Sequence, residues 1–257
     1  MNPQFHRTSL ALSPPVARVT LTNPPLNVID LQMMDELAAA FEELTQQPEI
    51  SIVVFAGSDR AFSAGVDVAV HTPEHIAEML SKFHAVIKQI VTWNRISVAE
   101  VRGQCLGGGA ELAMVCDFVI TAEDSTWGFP EIKLGCFPPV AATALASLVG
   151  QKCAMNLILT GRTFDGREAH SLRLVTSAVP PHEAAAKIEE LISCLKTLSP
   201  AALALTRKAI YAWDSMHFDK GLARAEKIYL EELMKSSDAH EGIRAFLEKR
   251  PPRWEGK

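Results

Sequence analysis

The sequence predicts an α/β protein with a strand–helix core in its first half and a mostly helical second half. Three observations carry this. Short β-branched runs alternate with amphipathic helical stretches as far as Thr121. A glycine-rich turn at 103–109 joins a strand to a helix. From Val140 onward helical periods dominate, and only 174–179 reads as extended.

The elements follow in order. Val16–Leu21 is a β-rich run closed by the turn residues Asn23-Pro24-Pro25. Asp30 is an N-cap candidate for a helix through Leu37, Phe41 and Leu44. The run 50–55 is β-branched and ends at Ala56-Gly57, as a buried strand does. After a loop, Ile76, Met79, Leu80, Phe83, Ile87 and Ile90 share one helix face. A strand is expected over 97–101, a helix over 110–115 and a strand over 118–121. Helical periods return at 201–213, 222–234 and 239–249. These elements suggest an α/β core over 1–197 and a helical appendage over 198–257.

Composition limits the function classes. The chain has 257 residues, is 48% hydrophobic and carries a formal net charge of −5. Disorder and collagen-like fibres do not fit that apolar fraction. Mild acidity argues against a nucleic-acid partner, which needs a basic footprint. The five cysteines, Cys105, Cys116, Cys136, Cys153 and Cys194, show no Cys-x-x-Cys spacing, so a reduced compartment is expected. No signal peptide is visible behind Met1 and no apolar run is long enough for a membrane span, so a soluble cytoplasmic protein is expected.

The most informative stretch is Gly103-Gln-Cys-Leu-Gly107-Gly108-Gly109-Ala-Glu111. Three glycines at a strand–helix junction allow close approach to the backbone and leave N–H groups unpaired. Such groups hold a phosphate or a developing oxyanion, although tight strand–helix packing explains the glycines equally well. Glu111 sits between apolar neighbours, which should desolvate its carboxyl and raise its pKa toward acid–base use. A second acid, Glu131, lies in Trp127-Gly-Phe-Pro-Glu131-Ile-Lys133, where an extended chain would turn it away from Lys133. Two such acids in one pocket can deliver a proton and a hydroxide. The loop Phe62-Ser-Ala64-Gly65-Val66-Asp67 can present a second N–H to the same oxyanion, though alone it reads as an ordinary turn.

Together, Phe-Ser-Ala-Gly-Val-Asp, Gly-Gly-Gly-Ala-Glu-Leu-Ala-Met-Val-Cys-Asp and Gly-Phe-Pro-Glu-Ile-Lys-Leu-Gly resemble the crotonase (enoyl-CoA hydratase/isomerase) superfamily over nearly the whole chain. The resemblance implies a spiral of ββα turns with a C-terminal helical trimerisation module, assembled as a homotrimer or a dimer of trimers. It implies an acyl-CoA thioester substrate, with coenzyme A as part of that substrate and no separate cofactor or metal. Val66 and Gly108 would supply the oxyanion amides. Glu111 would activate water, and Glu131 would handle the proton delivered to carbon. Leu26, Asn27, Ala64, Gly65, Asp67 and Gly107 would line the CoA path. Phe246 and Lys249 would reach a neighbouring subunit's CoA, with Arg250 and Arg253 as alternatives for its 3′-phosphate.

Two departures lie beside Glu131: Phe129 where a Gln is usual, and Cys136-Phe-Pro-Pro-Val-Ala-Ala-Thr143 in place of a glycine-rich run. They put a straight-chain substrate in doubt. Arg102-Gly-Gln-Cys-Leu-Gly, Tyr229-Leu-Glu-Glu-Leu-Met234 and the tail from Asp238 are similar to the cyclohexa-1,5-diene-1-carbonyl-CoA hydratases of anaerobic benzoyl-CoA degradation. An ordinary β-oxidation hydratase and a non-catalytic CoA- or RNA-binding relative are the alternatives.

Other signals are weaker. His71 and His75 stand four apart, but Pro73 lies between them and no third metal ligand is evident. His84 falls on the apolar side of its helix and could border the acyl pocket, although a core or surface histidine is the first reading. Trp93, Trp127, Trp213 and Trp254 read as packing residues, and Asp67 and Asp117 as turn or cap residues.

Overall fold

The computed structural model describes residues 5–72 and 74–255, with 212–217 described by their backbone alone; Pro73 and the Trp213 side chain therefore lie outside the described residues, as do residues 1–4. The chain opens with a hairpin, β1 (Thr8–Ser13) and β2 (Val16–Leu21), followed by helix α1 (Leu31–Thr45). The Asp30 carboxylate caps α1 by accepting the Met33 N–H at 2.8 Å, as the sequence predicts.

Three similar turns of chain follow. The first is β3 (Ile52–Ala56), β4 (Ala61–Ser63) and α2 (Ile76–Thr92). The second is β5 (Ile96–Val101), β6 (Gln104–Leu106) and α3 (Gly108–Met114). The third is β7 (Phe118–Ala122), β8 (Thr126–Gly128) and, after a 3₁₀ turn at Pro130–Leu134, α4 (Pro139–Val149). The first strands of these turns pair in parallel, β3 to β5 to β7, and so do the second strands, β4 to β6 to β8. The result is the expected spiral of ββα turns, with a six-stranded sheet ordered β1-β2-β3-β5-β7-β10, where β10 is Ser177–Val179, and a four-stranded sheet ordered β4-β6-β8-β9, where β9 is Thr163–Asp165.

The rest of the chain supplies α5 (Gln151–Thr160), β9 (Thr163–Asp165), α6 (Gly166–Ser171), β10 (Ser177–Val179), α7 (Ala184–Lys196), α8 (Pro200–Glu231) and α9 (Ser237–Leu247). No described helix is long and apolar enough to cross a membrane. The expected break between residues 213 and 222 does not exist, because α8 runs unbroken from Pro200 to Glu231, and the last residues of the second predicted helix fall in a 3₁₀ turn at Leu233–Lys235. Gly221 lies inside it as a contact point: a Cβ there would sit 2.8 Å from Thr143 Cγ2 on α4.

Why β3 is apolar throughout is clear from its two neighbours. Val53 and Phe55 join the main core with α1 and α2, whereas Ile52 and Val54 face Ile188, Ile192 and Leu195 of α7. A strand covered on both faces has no polar side to show. On α2, all six predicted apolar positions are buried. Helix α8 is fastened to this core by Arg207. Its Nε donates to both Asp117 oxygens at 2.8 Å, and its other nitrogens donate to the carbonyls of Ile90, Val91 and Trp93. Asp117 thus anchors a helix rather than capping a turn.

Candidate active site

The backbone amides are positioned first. After β4 the chain turns through Gly65 at φ 105°, a conformation that strains any residue with a Cβ. Neighbouring backbone braces this turn: Ala64 N–H donates to Leu26 O, and Ile29 N–H donates to Gly65 O, both at 2.9 Å. The Asn27 amide donates to Ala61 O at 2.8 Å and Phe62 O at 3.3 Å. Opposite, β6 passes through Gly107 into α3, which begins at Gly108. A Cβ on Gly108 would lie 2.6 Å from Val66 Cγ2 and 3.4 Å from Val66 N, so only glycine permits this approach. The N–H groups of Val66 and Gly108 have no acceptor among the hydrogen bonds of the described residues. Two open donors on facing loops suit an oxygen on which negative charge develops.

The acids come next. Glu111 lies in the first turn of α3 and is 3% exposed. Its Oε1 accepts the Ala141 N–H from the start of α4 at 2.9 Å. Burial outweighs that bond and the amide of Val140, and pushes the carboxyl up to about 7. Glu131 sits in the 3₁₀ turn, not in the extended chain that was expected, and Lys133 is exposed beside it. Glu131 as a whole is half-buried, but its Oε2 is sealed from solvent with no hydrogen-bond partner among the described residues. A Cβ on Gly107 would lie 2.5 Å from Glu131 Oε1, which places this carboxyl against the glycine turn. Burial, and then the charge of Glu111, hold it well above the usual carboxylate range. Both carboxyls are thus raised, and a pair that loses one proton while keeping the other offers one base and one acid.

These groups share a cavity of about 390 Å³. Of the predicted residues, Glu111, Glu131, Val66, Gly108, Ala64, Gly65, Gly107 and Phe246 line it. Leu26, Asn27, Asp67 and Lys249 do not. Leu26 and Asn27 act from behind as braces, and the Asp67 carboxylate caps a short turn by accepting Ala69 N–H at 3.0 Å. Lys249 is exposed just beyond α9. Arg250 reaches the cavity, but its guanidinium is held by Glu241 and Glu248. Arg253 lies outside the cavity and donates its backbone N–H to Glu241.

Among the lining residues that the predicted site does not include are Phe137, Tyr229 and His84. The Phe137 and Tyr229 rings meet tilted by 60°, with centroids 5.2 Å apart, on one wall. His84, read first as an ordinary core or surface histidine, borders the cavity and bonds Glu226 of α8. His84 lies on a helix and Glu226 is 142 residues away, so no local pattern links them.

The profile of the enoyl-CoA hydratase/isomerase family matches residues 13–257. The chain belongs to this family. It is 35% identical over 240 residues to the cyclohexa-1,5-dienecarbonyl-CoA hydratase of Thauera aromatica, covering 93% of each. It is 34% identical over 252 residues to a putative enoyl-CoA hydratase of Thermus thermophilus, covering 93% of this chain and 97% of that one. The crystal structure of an enoyl-CoA hydratase from Mycobacterium avium subsp. paratuberculosis superposes with a TM-score of 0.88 at 28% identity, over 98% of this chain and 100% of that one. The crotonase-type fold and an enoyl-CoA hydratase-type function are thus supported by both sequence and structure.

Proposed function

We propose that this chain is a hydro-lyase that adds water to cyclohexa-1,5-diene-1-carbonyl-CoA, giving 6-hydroxycyclohex-1-ene-1-carbonyl-CoA. The observation that carries water addition is the pair of buried carboxyls, both raised in pKa, beside two open amides. The amides of Val66 and Gly108 hold the thioester oxygen. Glu111 takes a proton from water as the hydroxyl oxygen bonds to the carbon β to the carbonyl. The electron pair moves to the thioester oxygen, where the amides stabilise it. Glu131 then gives its proton to the far carbon of the dienolate, and the remaining double bond returns to conjugation. Proton transfer from Glu111 to Glu131 restores the pair.

The ring substrate is supported by the Thauera relative and by the Phe137–Tyr229 wall, whose Phe137 lies in the segment that departs from the common hydratase pattern. A straight-chain enoyl-CoA is the second reading, and the Thermus relative favours it. Turnover of the cyclic dienoyl-CoA against crotonyl-CoA decides between them. A kcat/KM higher for the cyclic substrate supports the proposal, and a higher value for crotonyl-CoA replaces it with the second reading.

Further parts of the proposal concern assembly and CoA. The helical region 198–257 would build a homotrimer or a dimer of trimers, consistent with Leu205 and Ile210 standing exposed on α8. Lys249, with Leu26, Asn27 and Asp67 near the loops, would contact CoA. All five cysteines are free, which fits a reducing cytoplasm. The reaction as written needs no metal or redox group.

A further inference from the structure

His84 and Glu226 form a polar pair in an otherwise apolar part of the cavity, and the hydration chemistry above does not use it. The His84 side chain is 1% exposed and lines the cavity with Phe83, Met79 and Tyr229. Its Nδ1 meets Glu226 Oε1 at 2.5 Å. Glu226 stands three residues before Tyr229 on α8, so a single turn of that helix presents both groups. The other ring nitrogen, Nε2, is buried and has no hydrogen-bond partner among the described residues.

The tautomer follows from the contact. A carboxylate only accepts, so Nδ1 carries the hydrogen that it donates to Glu226. In the neutral ring Nε2 is then a bare acceptor. A buried acceptor without a donor is unfavourable, and a purely hydrocarbon acyl group would leave it so. A hydroxyl would satisfy it. The imidazole is also kept from turning away, because Glu226 holds its opposite edge.

We propose that His84, oriented by Glu226, is a substrate-binding residue that accepts a hydrogen bond from a hydroxyl on the acyl group, selecting hydroxyacyl thioesters. This rests on the acyl-CoA reading of the site. The hydroxyl has two possible sources: the one that hydration adds next to the glutamates, or one already carried farther along the acyl group.

Equilibrium binding separates these sources without requiring turnover. Three ligands are compared: a saturated acyl-CoA, its 3-hydroxy derivative and a derivative hydroxylated at the far end. The wild type should bind at least one hydroxylated ligand more tightly than the saturated one, and His84→Phe should weaken that ligand by about tenfold, the scale for stranding a buried polar group. Affinity for the saturated ligand should hold, which also shows that the variant is folded. Glu226→Gln, which no longer fixes the tautomer, should give a smaller loss for the same ligand. The ligand affected identifies the source. Equal weakening of all three ligands, or an unchanged hydroxyl preference in His84→Phe, would overturn the proposal. Failure of the hydratase reading would instead appear as acyl-CoA binding without turnover, leaving this comparison intact.

Discussion

Glu111 Oε1 accepts the Ala141 N–H at 2.9 Å, so the acid of α3 is fixed to the first turn of α4. Ala141 belongs to the stretch 136–143, where the sequence departs from the common hydratase pattern. The departure therefore does more than reshape a wall. Pro139 starts α4, and an N–H of that first turn, which has no partner within the helix, orients the carboxylate.

The buried acid makes stability fall as pH rises. The folded state raises the Glu111 carboxyl from 4.5 to about 7, so between those values it binds more protons than the unfolded chain. Stability is lost across that window, and the full cost remains above it. Glu111→Gln removes the charge and keeps an acceptor for Ala141 N–H. Thermal melts should show the variant a few degrees more stable than the wild type at pH 8, with the two converging toward pH 4.5. A variant less stable at pH 8 would contradict the burial argument.

Activity should follow a bell in pH. The rising limb, near 7, reports ionisation of Glu111 as base. The falling limb, at higher pH, reports loss of the Glu131 proton, since its carboxyl is held well above the usual range. The two limbs belong to the pair as a whole. Profiles of kcat/KM should lose the rising limb in Glu111→Gln, measured on whatever activity remains.

The oxyanion site depends on Gly108. A Cβ there would press on Val66 Cγ2 at 2.6 Å and force apart the two loops that carry the amides. Gly108→Ala should lower kcat by about 10²–10³-fold, the effect of losing one donor. KM should change far less. Steady-state kinetics separates the two, and an unchanged kcat would place the oxyanion elsewhere.

Helix α8 brings Glu226 and Tyr229 to the cavity, and Arg207 holds it there. Arg207→Leu leaves the buried Asp117 carboxylate without its ion partner. Urea unfolding should show a loss of about 3–5 kcal/mol. A loss below about 1 kcal/mol, the scale of a surface pair, would mean that the helix is anchored by other contacts.

The legible elements were those whose burial dictates their pattern. Strand β3 is apolar because both faces are covered, and α2 shows its buried stripe directly. Strand β1 went unread because it is an edge strand with mostly exposed side chains. Strand β9 is only three residues long, too short for a period to show. Gly221 lies where no helix was expected, yet it is there to admit Thr143. The glutamates and glycines of the site were readable as local motifs. The His84–Glu226 pair was not, because it joins α2 to α8 across the fold.

The central claim is that two glutamates add water to an acyl-CoA thioester. Hydration of a conjugated enoyl-CoA should be followed for the wild type, Glu111→Gln and Glu131→Gln, with acyl-CoA binding measured in parallel. The account predicts turnover lowered by about 10²–10⁴-fold in each variant, the usual contribution of a general acid or base, with binding preserved. Near-wild-type hydration in either variant would contradict it.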